Sequence, residues 1–175
     1  NRLDAMKEIE IKFRVENANA LAAALAERGC ALSEVIEQDD RLFLPPGASY
    51  PVPPGVPVLR VRQQNGKPSL LTLKASDAGN ELSKTEIETT VSDAPAAASI
   101  VLEMGYVEVL RIQKKRRKGK VGGTEICVDE VVGLGSFVEL ERLAEADPLP
   151  IQNEMIALAS SLGIDTSARV MKGYD

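Results

Sequence analysis

No histidine occurs among the 175 residues of this chain. Its absence removes the Ser/His and Cys/His catalytic pairs, histidine-rich zinc sites and the usual proton carrier of neutral pH. The two cysteines, Cys30 and Cys127, lie far apart and form no C-x-x-C pattern. A zinc ribbon, a thioredoxin-like site and a disulfide scaffold are therefore unsupported, and a reducing, cytoplasmic setting fits. No apolar run approaches the roughly 18 residues of a membrane span, and Asn1 to Lys7 lack the basic-then-apolar layout of a signal peptide. A phosphate-cradling G-x-x-x-x-G-K-[ST] loop is missing, as is any fixed-period repeat. Lys and Arg number 21 against 26 Asp and Glu, a net charge of -5, so bulk attraction to nucleic acid or an anionic membrane has no basis. What remains is chemistry by carboxylates, lysines, arginines or bound metal, in a chain long enough for one sizeable core. A single domain is expected over residues 7–165, with 1–6 as a leader ahead of a candidate start at Met6 and 166–175 as a tail.

Residues Lys7 to Val15 alternate strictly, with Glu8, Glu10, Lys12 and Arg14 on one face and Ile9, Ile11, Phe13 and Val15 on the other, which predicts a strand. Ala18 to Arg28 predicts a short amphipathic helix stopped by Gly29, and a strand is expected over Ala31 to Leu44. PPGASYPVPPGVP, Pro45 to Pro57, holds six of the ten prolines; it is too rigid and donor-poor to pair and reads as a projecting loop, either a lid or a dimer contact. Strands are predicted over Val58 to Gln64, Ser69 to Ala75, Lys84 to Val91, Tyr106 to Lys118, Gly123 to Val132 and Ser136 to Arg142. Helices are predicted from Asp93 to about Met104 and from about Leu149 to Leu162. Eight short strands with three helices favour antiparallel pairing, as a sandwich or a closed barrel.

Amphipathic helices need an apolar sheet surface to pack on. If they take the apolar strand faces, the charged faces point into the barrel. These carry Glu8, Glu10 and Lys12; Arg60 and Arg62; Lys74; Lys84, Glu86 and Glu88; Lys114 and Arg116; Asp129; and Glu139 and Glu141. Alternating charge on one strand usually marks a half-exposed strand. Here, however, several strands present nearly pure sign blocks, E-x-E, R-x-R, K-x-R and E-x-E. Enclosing them would cost several kcal/mol per unpaired ion, so counter-charges must arrive. Carboxylates without histidine or thiolate suit Mg²⁺ or Mn²⁺, and converging Lys and Arg suit a chain of phosphates.

In order along the chain, Glu8-x-Glu10-x-Lys12, Gln38-x-Asp40 with Phe43, Leu59-Arg-Val-Arg62, Leu73-Lys74, Glu86-Ile-Glu88, Lys114-x-Arg116 and the block from Asp129 through Gly133-Leu-Gly135-x-Phe137-Val-Glu139-Leu-Glu141 resemble the CYTH superfamily. These are the triphosphate tunnel metalloenzymes, which include class IV adenylate cyclases and thiamine triphosphatases. The resemblance spans roughly Lys7 to Leu162 and lies nearer the cyclase branch. It implies an α+β fold, an eight-stranded antiparallel closed barrel with a charged interior and about three helices outside. It also implies a metal group of Glu8, Glu10, Asp129, Glu139 and Glu141, and a phosphate-binding group of Lys12, Arg60, Arg62, Lys74, Lys84, Lys114 and Arg116. Glu86 and Glu88 would support basic neighbours. The catalytic set is Glu8, Glu10, Lys12, Asp129, Glu139 and Glu141. Three departures stand out: Lys84 where the family often has arginine, which loses the bidentate fork, Leu42 where an aromatic often precedes Phe43, and Gly119 near the place of a usual aromatic.

The resemblance implies a small-molecule triphosphate partner. Class IV adenylate cyclase chemistry would turn ATP into cyclic AMP and pyrophosphate; a phosphohydrolase would release orthophosphate from thiamine triphosphate or tripolyphosphate with the same residues. A binding module without turnover is a third reading. Nucleic acid is not expected, since the one dense basic run, Lys114 to Lys118, has no aromatic interleaving. No membrane partner is expected, and a homodimer is left open.

Overall fold

The structure is a computed structural model that describes residues 7–77, 80–145 and 147–170. Its strands and helices run β1 (Lys7–Val15), α1 (Ala18–Glu27), β2 (Ile36–Leu44), β3 (Val58–Gln64), β4 (Lys67–Asp77), β5 (Asn80–Val91), α2 (Ala94–Glu103), β6 (Val107–Val121), β7 (Thr124–Val131), β8 (Gly135–Ala144), α3 (Pro148–Ser161) and β9 (Arg169–Val170). All pairings are antiparallel, in the order β5-β4-β3-β2-β6-β7-β8-β1-β9. A further pairing of β1 with β5, Glu8 opposite Lys84 and Ile9 opposite Ser83, closes eight strands into a barrel. Closure removes the sheet edges that would otherwise invite association.

Both faces of β1 are buried: Glu8, Glu10 and Lys12 on the inner side, Ile9, Ile11 and Phe13 on the outer. The outer face carries the main core. Leu21 and Leu25 of α1 and Met155, Ala159 and Leu162 at α3 pack with Ile9, Ile11, Phe13, Ile126, Val138 and Leu140. Full burial of each large aliphatic or aromatic side chain is worth about 1.5–3 kcal/mol, so this cluster fixes which strand face looks outward. A second cluster seats Ala94, Ala98 and Val101 of α2 on Phe43 and Val61. Side-chain caps set the helix starts: Asn17 accepts from the Ala20 N–H and Asp93 from the Ala96 N–H, each at 3.0 Å.

Two expectations change in detail and one holds. The strand expected from Ala31 begins only at Ile36; the preceding segment is held by its own bonds, the Ser33 N–H donating to the Lys118 carbonyl at 2.7 Å. Pro45 to Pro57 is unpaired loop, as its missing donors require. The tail expected beyond residue 165 is docked as far as Val170. A 3-10 turn over Thr166–Ala168 leads into β9, which pairs Val170 with Lys12 and Arg169 with Phe13. That stretch of β1 lies past its short seam with β5 and would otherwise present unpaired backbone groups. The expected leader, and residues 171–175 of the expected tail, fall outside the described residues.

Candidate active site

Register builds the acidic group. In the β1–β8 ladder Glu10 stands opposite Glu141 and Lys12 opposite Glu139, and alternation turns all four inward with Glu8. Carboxylate oxygens of Glu8, Glu10 and Glu141 lie within 4.8 Å of one another. Three carboxylates this close cannot all ionise cheaply. Burial, reinforced by the charges of Glu8 and Glu139, pushes the Glu141 carboxyl up to about 9. Burial also raises Glu8, against the pull of Lys74. The Lys74 ammonium is 3.8 Å from each of Glu8 and Glu10 and 3.7 Å from Glu86.

Apart from a proton shared between Glu8 and Glu141, both Glu8 oxygens and Oε2 of Glu10 are buried and accept no hydrogen bond. Buried oxygens left in this state are costly, and a hard divalent cation would satisfy them while favouring the ionised carboxylates. The residues present therefore fit such an ion.

The basic wall is built from pairs. Arg62 donates through Nε and Nη2 to the two oxygens of Asp40 at 2.6 and 2.7 Å. Arg116 does the same with Asp129 at 2.7 and 2.6 Å, and its Nη2 also reaches Glu139 at 3.3 Å. Such side-on forks hold a guanidinium in one orientation. Lys114 lies 3.5 Å from Asp40, and Lys12 lies 3.7 Å from Glu139 and 3.9 Å from Glu10. Arg60 is 3.6 Å from Glu88, whose Oε2 accepts from the Thr72 hydroxyl at 2.7 Å. Burial alone would raise Glu139, but the charges of Arg116, Lys12, Lys114 and Lys74 outweigh it and hold the carboxylate far below its usual range. Asp40 is likewise lowered: burial opposes ionisation, but Arg62 and Lys114 win.

The acidic group expected from sequence thus divides. Glu8, Glu10 and Glu141 converge; Asp129 has both oxygens on Arg116, and Glu139 faces Arg116 and Lys12. Of the basic group, Arg60, Arg62, Lys74, Lys114 and Arg116 line one cavity of ≈ 420 Å³ with Glu8, Glu86, Glu88, Glu139 and Glu141. Lys12 stands behind that lining, buried against its glutamates, and Lys84 sits at the β1–β5 seam opposite Glu8. Asp40 and Thr72, both without exposed surface, are absent from the site residues expected from sequence. The signal for each was its place two residues from an inward position, Asp40 from Gln38 and Thr72 from Lys74.

Toward the barrel end at the β3–β4 turn and the start of β7, Gln64, Lys67, Leu70, Lys118 and Glu125 line the cavity. One inward position beyond the charged ring, on four strands together, side chains turn apolar: Leu42 after Asp40, Ile112 before Lys114, Val131 after Asp129 and Phe137 before Glu139. These four form a buried cluster, with Val58, Leu110 and Val170 against it.

Residues 6–174 match the CYTH domain, and the chain belongs to that family. It is 29% identical over 175 residues to MJ0240 of Methanocaldococcus jannaschii, whose name as an adenylate cyclase is provisional, with 97% of each chain covered. It is 28% identical over 170 residues to adenylate cyclase CyaB of Aeromonas hydrophila, covering 95% of this chain and 86% of that one. Among solved structures, a conserved hypothetical protein from Pyrococcus furiosus superposes with a TM-score of 0.82 at 25% identity, covering 95% of this chain and 97% of that one. Among the described residues, no helix is long and apolar enough to cross a membrane.

Proposed function

We propose that the chain is a divalent-metal-dependent enzyme that holds a triphosphate in the barrel, and that its reaction is conversion of ATP to cyclic AMP and pyrophosphate. One observation carries this reading. Glu8 and Glu141 of a carboxylate trio, in which Glu8 and Glu10 carry unsatisfied buried oxygens, face one cavity together with five basic side chains. Anion binding alone would need only the second half of that arrangement. The adenylate cyclase name of the Aeromonas hydrophila relative supports the choice of reaction.

In this reading Glu8, Glu10 and Glu141 hold Mg²⁺ or Mn²⁺, which when bound supplies positive charge to phosphate oxygens. Arg60, Arg62, Lys74, Lys114 and Arg116 bind the triphosphate and stabilise charge building on the departing pyrophosphate. Asp40 and Asp129 hold Arg62 and Arg116 in place, and Glu139 balances Lys12 and Arg116. Lys12 and Lys84 belong to the phosphate-binding group as its outer members, Glu86 and Glu88 as partners of Lys74 and Arg60.

A second reading, a phosphohydrolase acting on tripolyphosphate or thiamine triphosphate, is favoured by the composition of the cavity. Among the described residues its lining includes no aromatic side chain, and Pro68 and Leu70 are its apolar members. A base or pyrimidine ring would find little surface to stack on.

Incubation with Mg²⁺ or Mn²⁺ and, separately, ATP, thiamine triphosphate and tripolyphosphate, followed by phosphorus NMR, separates the readings. Cyclic AMP with pyrophosphate is the expected result. Orthophosphate selects the hydrolase, and binding without product overturns both.

A further inference from the structure

The apolar cluster of Leu42, Ile112, Val131 and Phe137 lies inside the barrel, on the neighbouring strands β2, β6, β7 and β8, rather than under a helix. Each member occupies an inward strand position, each is buried, and register makes them neighbours of the charged ring: Ile112 stands opposite Asp40, Val131 opposite Lys114 and Phe137 opposite Asp129. Val58 of β3 joins from a further strand, and Val170 of β9, opposite Lys12, joins from the docked C-terminal segment. On β6 the inward positions read Ile112, Lys114, Arg116, Lys118. The charged stretch from Lys114 to Lys118 is therefore four residues, roughly 13 Å along the strand and less along a tilted barrel axis.

Resting on the triphosphate reading above, we infer that this layer is a plug that makes the tunnel blind and selects substrates by their free end. A triphosphate enters and leaves by the mouth at Gln64, Lys67, Lys118 and Glu125. Its unsubstituted terminal phosphate lies deepest, beside Arg60, Lys74 and Lys114, against the apolar layer. Phosphate oxygens pushed into that layer would lose their water and meet no donor. A group attached to the terminal phosphorus would have to occupy the space that Leu42 and Phe137 fill. The other end of the substrate is under no such constraint, because it faces the mouth. The plug therefore distinguishes triphosphates substituted at one end or neither from those substituted at both.

Binding of three compounds to the purified chain in Mg²⁺ tests this: tripolyphosphate, α,β-methylene-ATP, whose α–β linkage cannot be cleaved, and P1,P3-di(adenosine-5′) triphosphate, substituted at both ends. The first two are expected to bind within about tenfold of each other and the third at least 100-fold more weakly than α,β-methylene-ATP. Equal binding of all three within threefold would overturn the plug while leaving the triphosphate site intact. Failure of both tripolyphosphate and α,β-methylene-ATP to bind would overturn the site itself. In the double variant V131A/F137A, which opens the layer, the preference for α,β-methylene-ATP over the doubly substituted compound should fall at least tenfold, and an unchanged preference would overturn the plug. If that variant does not fold, the comparison on the unaltered chain decides.

Discussion

Glu10 and Glu141 face each other directly across the β1–β8 ladder, a pairing of like charges that destabilises a sheet. The cost is reduced by protonation, and the neighbouring Glu8 raises it. The arrangement is intelligible as a site suited to a divalent cation.

Stability should therefore depend on pH in the direction opposite to ordinary acid denaturation. Glu141 is raised from 4.5 to about 9 in the fold, so its contribution is fully present below about pH 4.5 and is lost as pH rises through about 9. Glu139 is displaced the other way; its contribution is present above pH 4.5 and lost in acid, so the two windows do not overlap. Thermal unfolding in a chelator should show Tm falling between pH 5 and 9. Mg²⁺ should restore it, increasingly so at higher pH. Glu141→Gln should flatten the slope and abolish the Mg²⁺ effect; an unchanged slope would remove Glu141 from the acidic trio.

Asp40 and Arg62 form a buried fork, and breaking one half leaves the other charge uncompensated, at a cost of about 3–5 kcal/mol. Asp40→Asn should lower the midpoint of urea unfolding accordingly. Arg62→Lys keeps the charge but not the fork. It should weaken tripolyphosphate binding about tenfold or more, read by calorimetry. Unchanged affinity would mean that Arg62 does not face the ligand.

Gly119 faces the coil that follows α1. A methyl there would meet Cys30 Sγ at 2.6 Å and Leu32 Cδ2 at 3.2 Å. Gly119→Ala should destabilise by about 1–3 kcal/mol through overpacking, measured by chemical unfolding. This contact leaves no room at Gly119 for even a Cβ without movement of the coil.

Cys127 is buried inside the barrel, and burial pushes its thiol up to about 12. Cys30 is also buried and unbridged. Neither should react with a disulfide reagent at pH 8 in the native protein, and both should react on unfolding. Rapid labelling of Cys127 in the native chain would show that the barrel opens.

Much of this was legible in the chain itself. Strict alternation in Lys7 to Val15 marked a strand with one ionic face, and the sign blocks at Arg60 and Arg62, Lys114 and Arg116, and Glu139 and Glu141 marked that face as a site. Alternation is local, so it survives without knowledge of partners. The docking of β9 was not legible, because two residues carry no periodicity. Nor was the role of Asp40, which depends on Arg62 standing opposite it in the β2–β3 ladder.

The amino-acid order by itself determined the strands, the helices that had to cover their apolar faces, and hence the inward turn of the charges. Only the tertiary structure decided which charges meet. Cross-strand register put Glu10 on Glu141 and Asp129 on Arg116, splitting carboxylates that look alike in sequence into a metal-ready trio and partners for arginine. The same register gathered Leu42, Ile112, Val131 and Phe137 into one buried cluster inside the barrel, which strand patterns alone do not reveal. Spacing along a strand is set by local geometry, whereas contact between strands is set by how all eight close.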